Sequence, residues 1–307
     1  MNYPKLSIIV PTYNRAHYLE ECLDSIISQE YPNIEIIITD DNSIDNTEEI
    51  CKKYLEKYSY VKYVKNLKYL QGPTGNKNNG IDNVTGEYIA IFDDDDYFIY
   101  NKALKFLMDE IVEKDLDAVM AGYKRSDNGK NTVIGLNKPQ LINYGDYLCG
   151  KIKGDAFTIS KKYLWDKIRY NDKLYGGEGT TNFKVLKNAK IFHTLKTAAL
   201  YRVHPDNVCF KALSVPWQTL LNYEYRIKET YDYMKTNCPK ELALYYKQAA
   251  YFAKLSFQYK KGFKYIFKSL SLCFRIDTVI MLFVMFLPKR LVPILSKVRV
   301  KIKEIFE

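Results

Sequence analysis

Residues 89–96 read IAIFDDDD: four apolar residues that suit a buried strand run directly into four carboxylates. Two like charges about 4 Å apart repel by roughly 1 kcal/mol in water and by about 4 kcal/mol near a protein surface. Four in succession at the end of a strand therefore need a counter-charge. Hard divalent cations such as Mg²⁺ and Mn²⁺ prefer carboxylate oxygens, so the stretch predicts a metal site, with a solvated acidic turn as the alternative.

Upstream of this stretch, apolar strands and amphipathic helices alternate. Short apolar runs at 6–10, 34–38 and 60–64 predict buried strands, and apolar stripes at 14–29 and 46–58 predict helices between them. This alternation predicts a mainly parallel α/β sheet with helices on both faces.

Polar turns follow three of the predicted strands, at 13–15, 40–41 and 93–96. Right-handed crossovers bring the C-terminal ends of parallel strands to one edge of the sheet, and ligands bind at that edge. The sequence therefore predicts that the three turns share one crevice.

The remainder of the first 210 residues carries weaker signals. The segment 72–80 is rich in Gly, Pro and Asn and is predicted to be a loop before a short helix, and 176–181 is predicted to be a hinge-like loop. Further strands are predicted at 118–123, 154–159, 191–193 and 199–203.

Composition limits the possible classes of protein. The chain of 307 residues is 47% hydrophobic, enough for one large domain with an appendage. Three histidines and six scattered cysteines argue against a zinc site, and the cysteine pattern favours thiols in a reducing compartment. The apolar run before Pro11 is too short for a signal peptide, and no stretch reaches the 18 apolar residues of a spanning helix.

The net charge of +10 is unevenly distributed along the chain. Residues 211–307 contain 18 Lys and Arg against 7 Asp and Glu, whereas the first 210 residues contain 28 against 29. Beyond residue 211 the pattern predicts helices only, which divides the chain into a domain at 1–210 and a helical, basic extension at 211–307.

The end of the extension suits a membrane interface. An apolar run at 279–287 spans about 14 Å as a helix, half of the hydrocarbon thickness, and basic residues interleaved with apolar ones follow at 289–303. We therefore expect peripheral attachment to a membrane surface. The alternatives are a helical subdomain with a solvated basic face and, at 298–303, a strand.

Five motifs occur in order along the first part of the chain: PTYNR at 11–15, DDNS at 40–43 with Asp45 and Thr47, KN at 77–78 with Gly80-Ile81, GEY at 86–88, and the four carboxylates at 93–96. This ordered set resembles the family 2 glycosyltransferases, which have the nucleotide-sugar-binding GT-A fold. The resemblance covers about the first 210 residues and implies a cytosolic enzyme that uses a nucleotide-activated sugar and inverts its anomeric carbon.

The resemblance also implies roles for the acidic turn and the donor site. Asp95, helped by Asp93, would hold Mg²⁺ or Mn²⁺, Asp94 would meet the ribose, and Asp96 would orient the acceptor or neighbouring ligands. Tyr13 would lie against the base, Asp41 would accept a hydrogen bond from uracil, and Lys77 would attract phosphate. The implied nucleotide-sugar-binding set is Pro11, Tyr13, Arg15, Asp41, Lys77 and Asp94.

An inverting displacement needs one general base. The family usually presents an Asp in a Glu-Asp pair, but this chain has Gly179 at that position, so Glu178 is the candidate base, with helix capping or acceptor binding as the alternatives. The motif YRVH at 201–204 resembles the closing motif of the family, in which His204 would contact the metal or the diphosphate. A structural histidine is the alternative.

The predicted function is transfer of a hexose or N-acetylhexosamine from a UDP-sugar to a polyprenyl-diphosphate-linked oligosaccharide or a related surface-glycan precursor. We expect the enzyme to act at the cytoplasmic face of the membrane. A sugar nucleotidyltransferase and a catalytically inactive GT-A binding module are the alternatives. Nucleic-acid binding is not expected, because an acidic crevice repels phosphate chains.

Overall fold

The computed structural model describes residues 3–174, 176–205, 207 and 214–288. The chain divides into two compact units, Met1–Pro205 and Asp206–Glu307. The predicted boundary between residues 210 and 211 lies outside the described residues.

The first unit is built on a mixed β-sheet. Its strands are β1 (Leu6–Thr12), β2 (Ile34–Asp40), β3 (Val61–Lys65), β4 (Tyr88–Ile91), β5 (Tyr97–Phe98), β6 (Ala118–Arg125), β7 (Gln140–Ile142), β8 (Ala156–Lys161) and β9 (Ile191–Tyr201). They lie in the order β3-β2-β1-β4-β8-β6-β9-β5, and β7 pairs with β9 outside this order. Because β1 is parallel to both β2 and β4, the C-terminal ends of these three strands lie side by side.

Helices connect the strands of this unit. An apolar stripe predicts α1, because Leu19, Cys22, Leu23 and Ile26 recur at helical spacing, and these four side chains are buried in the structure. The helices are α1 (Ala16–Ile27), α2 (Thr47–Lys57), α3 (Pro73–Asp82), α4 (Ala103–Lys114), α5 (Gly145–Leu148) and α6 (Glu178–Leu186), with a 3₁₀ helix at Lys162–Trp165.

The apolar half of the 89–96 stretch lies in the core. Phe92, just after β4, stacks on Phe98 with ring centroids 4.4 Å apart, and both rings meet Phe157 edge to face. This packing of large aromatic side chains fixes the point at which the chain leaves the core and the carboxylates begin.

The loop predicted at 72–80 is wrong, because most of it is the buried helix α3. Gly and Asn are poor helix formers, but here contacts with the sheet override propensity. Asn76 Nδ2 donates to the backbone oxygens of Thr12 at 3.1 Å and Thr39 at 2.8 Å. A Cβ on Gly80 would lie 2.3 Å from Ile9 Cγ2, so only glycine allows the helix to approach β1 this closely.

Three other predictions differ from the structure. The two strands predicted at 191–193 and 199–203 are one continuous strand, β9. The loop predicted at 176–181 ends early, because α6 begins at Glu178. Cys22, Cys51 and Cys273 are free, whereas Cys149 and Cys238 are disulfide-bonded rather than thiols.

The second unit is helical in its described part, as predicted. It contains α7 (Pro216–Asn237), α8 (Pro239–Leu255), α9 (Tyr259–Leu272) and α10 (Ile276–Val284). Lys247 on α8 pairs with Asp277 on α10 at 2.5 Å. Within the described ranges, no helix is long and apolar enough to cross a bilayer. The basic residues at 289–303, which are predicted to attach the chain to a membrane surface, lie outside those ranges.

One buried carboxylate, Glu35 in β2, ties several elements together at the opposite end of the strands from the acidic turn. It accepts hydrogen bonds from Ser7 Oγ at 2.5 Å, from Thr85 N at 2.6 Å and from Gly86 N at 3.1 Å, and Lys5 Nζ lies 3.1 Å away. Burial alone would raise its pKa, but the hydrogen bonds from Ser7 and Thr85 outweigh burial and hold the pKa well below its usual range.

We expect Glu35→Gln to lower the free energy of unfolding by about 2–3 kcal/mol at pH 7. Because the pKa of the folded state lies below the ordinary value of 4.5, the stabilisation is complete above that value and is lost as the pH falls. Urea unfolding of wild type and variant should therefore show a difference that narrows from pH 7 towards acid. A difference that stays constant, or an equal loss in the control Glu56→Gln at an exposed position, would contradict this account.

Candidate active site

The turns after β1, β2 and β4 meet at one edge of the sheet, as predicted. The backbone N–H of Asn14 donates to Ser43 Oγ at 2.9 Å, which joins the first turn to the second. Arg15 Nη1 donates to Asp94 Oδ1 at 2.9 Å and to Asp95 Oδ2 at 2.6 Å, which joins the first turn to the third. Three segments far apart in sequence thus form one polar site.

Most of the acidic turn is buried. Asp94, Asp95 and Asp96 are 2%, 6% and 3% exposed, whereas the side chain of Asp93 is half exposed. Burial, opposed by the charge of Arg15, raises the pKa of Asp94 to about 7. Burial and then the charge of Asp95 raise the pKa of Asp96 well above its usual range. Burial and mutual repulsion therefore favour the protonated form of Asp94 and Asp96, and full ionisation of the turn needs an added counter-charge.

Each carboxylate of the turn has a partner within the protein: Arg15 contacts Asp94 and Asp95, Lys77 contacts Asp93, and the backbone of Arg202 contacts Asp96. Asp94 faces Arg15, and Asp96 Oδ1 accepts a hydrogen bond from the backbone N–H of Arg202 at 3.1 Å. The ribose role of Asp94 and the acceptor role of Asp96 stay predictions.

Of the predicted metal ligands, Asp95 and His204 lie together, and a divalent cation held there would take its remaining ligands from substrate and water. His204 Nε2 lies 2.9 Å from Asp95 Oδ2. Among the described residues, no group of three or more His, Cys, Asp or Glu side chains is arranged to hold a metal by itself. Mg²⁺ is usually bound by one or two carboxylates together with substrate phosphates, so Asp95, alone or with Asp93, would supply enough protein ligands for it.

Arg202 supports the acidic turn from the end of β9. Its Nε donates to the backbone oxygen of Asp95 at 3.0 Å, and its guanidinium lies over the rings of Tyr18 and Tyr97, 4.9 and 5.4 Å from their centroids. Arg202 belongs to the YRVH motif at 201–204, but the motif alone predicts no role for it. In the structure Arg202 is a positioning residue. It ties the segment that carries His204 to the backbone of Asp95.

Lys77 lies between two predicted functional carboxylates. Its Nζ is 3.2 Å from Asp93 Oδ1 and 3.4 Å from Glu178 Oε1, and its side chain is only 13% exposed. Burial alone would lower the pKa of Lys77, but Asp93 and Glu178 raise it, so the ammonium stays charged. Glu178 is the first residue of α6, and the left-handed Gly177 precedes it at φ 92°. The structure therefore brings the candidate base to the acidic turn.

Asp155 is a carboxylate close enough to the site for the charges of Asp93 and Glu178 to act on it, and no motif predicts this. Asp155 as a whole is exposed to solvent. The protein around its carboxylate nevertheless raises its pKa, and the charges of Asp93 and Glu178 raise this pKa further. It lies just before β8, in a loop with no motif. Only the pairing of β8 with β4 and β6 could have shown that this loop reaches the site.

The predicted nucleoside-binding residues lie around the ends of β1 and β2. Pro11 is within β1, and Tyr13 just after it is half exposed. Asp41 is buried and accepts hydrogen bonds from Asn66 Nδ2 at 2.8 Å and from Gly72 N at 2.6 Å. Each of its oxygens keeps a second lone pair that can accept a hydrogen bond, and the role of Asp41 toward the base stays a prediction.

The family model described as "Glycosyl transferase family 2" matches residues 7–213 of this chain, more than half of its length. The chain belongs to glycosyl transferase family 2. The predicted resemblance and the predicted glycosyltransferase class are thereby confirmed. Membership in this family favours glycosyl transfer over the sugar nucleotidyltransferase alternative.

Two curated relatives support the assignment of this chain to the glycosyltransferases. The GalNAc(5)-diNAcBac-PP-undecaprenol beta-1,3-glucosyltransferase of Campylobacter jejuni is 35% identical over 319 aligned positions, which cover 97% of this chain and 98% of the relative. Glycosyltransferase GlyG of Streptococcus pneumoniae is 30% identical over 231 positions, which cover 69% of this chain and 75% of the relative.

Solved structures confirm the predicted GT-A class of fold. S. aureus TarS 1–349 in complex with UDP-GlcNAc superposes with a TM-score of 0.68 at 20% identity, covering 97% of this chain and 88% of that chain. The mannosyltransferase PcManGT from Pyrobaculum calidifontis, in complex with GDP-Man and Mn²⁺, superposes with a TM-score of 0.57 at 16% identity, covering 92% and 80%. At these identities the likeness concerns the fold alone.

Proposed function

We propose that this glycosyltransferase moves a hexose or N-acetylhexosamine from a UDP-sugar to a polyprenyl-diphosphate-linked oligosaccharide. The observation that carries the proposal is the 35% identity to the Campylobacter enzyme, because it extends over 97% of the chain and thus includes the helical unit. That relative is named a glucosyltransferase, which makes glucose the first candidate for the transferred sugar.

Asp95 and His204 are proposed to hold Mg²⁺ or Mn²⁺. Asp93, on the same turn as Asp95, is proposed as a further ligand. When bound, such a cation neutralises charge on the diphosphate of the donor and of the leaving nucleotide. The paired positions of Asp95 and His204 support this role, and so does the excess of carboxylates in the turn. Arg15 and Lys77 add fixed positive charges beside the same carboxylates and orient them for the donor.

Glu178 is proposed as the general base. The acceptor hydroxyl oxygen bonds to the anomeric carbon while the bond from that carbon to the diphosphate oxygen breaks, and the hydroxyl proton passes to the Glu178 carboxylate. One displacement inverts the anomeric carbon. The contact of Lys77 with both Asp93 and Glu178 supports this placement, since it fixes the base beside the turn assigned to the donor.

The helical unit is proposed to lie on the inner face of the cytoplasmic membrane. Ile276, Ile280 and Phe283 share one exposed face of α10 at spacings of four and three, and the exposed Phe274 and Phe286 flank it. A short helix with such a face suits the headgroup layer rather than a span. Flotation with phosphatidylglycerol vesicles should fall in the Ile280→Ser, Phe283→Ser variant, and unchanged flotation would contradict the proposal.

The proposed reaction is tested by measuring UDP release from a panel of UDP-sugars with an undecaprenyl-diphosphate-linked glycan acceptor. We expect UDP-glucose to be the best donor and chelation of divalent cations to stop release. Transfer that continues in the presence of a chelator would contradict the metal assignment. Formation of a nucleotide sugar from a sugar phosphate, without any transfer, would contradict the glycosyl-transfer assignment.

A further inference from the structure

The helical unit contains a cleft that the proposed chemistry does not use. It is open to solvent, has a volume of about 580 Å³, and is lined by residues of α7, α8 and α9. The lining is basic and aromatic, with three tyrosines and a single carboxylate, Glu224. The four lysines of this basic cleft are Lys228, Lys261, Lys264 and Lys268.

The single carboxylate leaves most of this positive charge uncompensated. Glu224 Oε1 lies 2.9 Å from Lys261 Nζ and accepts a hydrogen bond from the Tyr265 hydroxyl at 2.5 Å. Among the described residues, no carboxylate pairs with Lys228, Lys264 or Lys268. The basic cleft therefore carries three ammonium groups that are available to an anion.

The hydrogen-bonding character of the basic cleft matches phosphate oxygens. Lysine ammonium groups bind phosphate as point charges and donate up to three hydrogen bonds each. The rings of Tyr246 and Tyr265 lie 5.9 Å apart and form part of the wall, and Lys268 Nζ lies 5.3 Å from the centroid of the Tyr246 ring. Three positive charges in one cleft suit a diphosphate better than a single phosphodiester charge.

The surface beside the basic cleft favours a phosphate carried by a lipid. On α9, Phe267 is 60% exposed and lies between Lys264 and Lys268 in sequence. Phe257 and Phe274, just beyond the two ends of α9, are also exposed. Exposed aromatic rings among lysines are typical of a surface that lies in the headgroup layer of a bilayer.

We propose that the basic cleft binds the diphosphate of a polyprenyl-diphosphate-linked glycan, so that the helical unit recognises the carrier end of the acceptor. The proposal rests on the acceptor class proposed above. It assigns carrier recognition to Lys228, Lys264 and Lys268, which lie on α7 and α9 outside the unit that holds the sheet.

The test is flotation of the full chain with phosphatidylcholine vesicles that contain undecaprenyl diphosphate or, at matched surface charge, phosphatidylglycerol. The cleft variant is Lys228→Gln, Lys264→Gln, and the matched control is Lys240→Gln, Lys260→Gln, which removes two exposed lysines of the same unit outside the cleft. We expect tighter binding to the diphosphate vesicles, weakened about tenfold in the cleft variant and little changed in the control.

Equal loss in the cleft and control variants, or equal binding of both vesicle types by wild type, would overturn the proposal. Kinetics provide a second readout, in which the cleft variant should raise the KM for the lipid-linked acceptor and leave the KM for the UDP-sugar unchanged. The vesicle result does not depend on catalysis. Absence of transfer by wild type would therefore contradict the proposed function, whereas the flotation result decides the role of the basic cleft.

Discussion

Replacing Asp95 with asparagine is expected to lower kcat/KM for sugar transfer by about a thousandfold or more. Asp95 Oδ2 lies within 3 Å of both Arg15 Nη1 and His204 Nε2, so the substitution removes the charge on which these groups converge. The side chain keeps its size, and the hydrogen bond from Arg202 Nε to the backbone oxygen of residue 95 is retained. The loss should therefore be chemical, and UDP release at donor concentrations well below KM, with the acceptor at saturation, measures it.

The matched control for this experiment is Asp115→Asn, because Asp115 is highly exposed and caps the C-terminal end of α4. It should transfer sugar at the wild-type rate. Circular dichroism and thermal unfolding of Asp95→Asn should show an intact fold. A folded Asp95→Asn variant with wild-type activity would refute the assignment of the acidic turn.

Replacing Glu178 with glutamine is expected to lower kcat by a factor of about 10² to 10⁴ and to leave the KM for the UDP-sugar nearly unchanged. An amide cannot take the proton of the acceptor hydroxyl, but it fills the same space beside Lys77. Steady-state kinetics with the donor and the acceptor varied separately measure this split.

Asp155→Asn is the informative comparison for Glu178→Gln, because both carboxylates lie near Asp93 and their charges act on each other. With Glu178 as the base, Asp155→Asn should change kcat far less than Glu178→Gln does. The reverse order of effects would transfer the role of base to Asp155. An inactive binding module, the remaining alternative, would show no transfer in wild type or in either variant.

The sequence predicted the part of the site that is built from local signals. The apolar runs that end in Asp40-Asp41 and in the 93–96 carboxylates identify strands, and the rule that ligands bind at the C-terminal edge of a parallel sheet places their turns together. The hydrogen bonds of Asn14 to Ser43 and of Arg15 to Asp94 and Asp95 confirm that convergence. The family motifs at the same positions then indicated the class of chemistry, glycosyl transfer.

The remaining features depend on contacts between residues far apart in sequence. Helix α3 forms although it is rich in Gly and Asn, because Asn76 bonds to β1 and β2 and Gly80 allows close packing on Ile9. Asp155 reaches the site only through the antiparallel pairing of β8. The basic cleft brings lysines from two helices together, which no periodic pattern in either helix shows.

We propose above all that Asp95 and His204, at the edge of the sheet where the three turns meet, hold a cation that binds the diphosphate of a UDP-sugar. Calorimetric titration of UDP in the presence and absence of Mn²⁺, for wild type and Asp95→Asn, tests it most directly. We expect Mn²⁺ to tighten UDP binding to wild type at least about tenfold, and to have little effect on the variant. An affinity of wild type for UDP that does not change with Mn²⁺, or an equal gain in the variant, would contradict the claim.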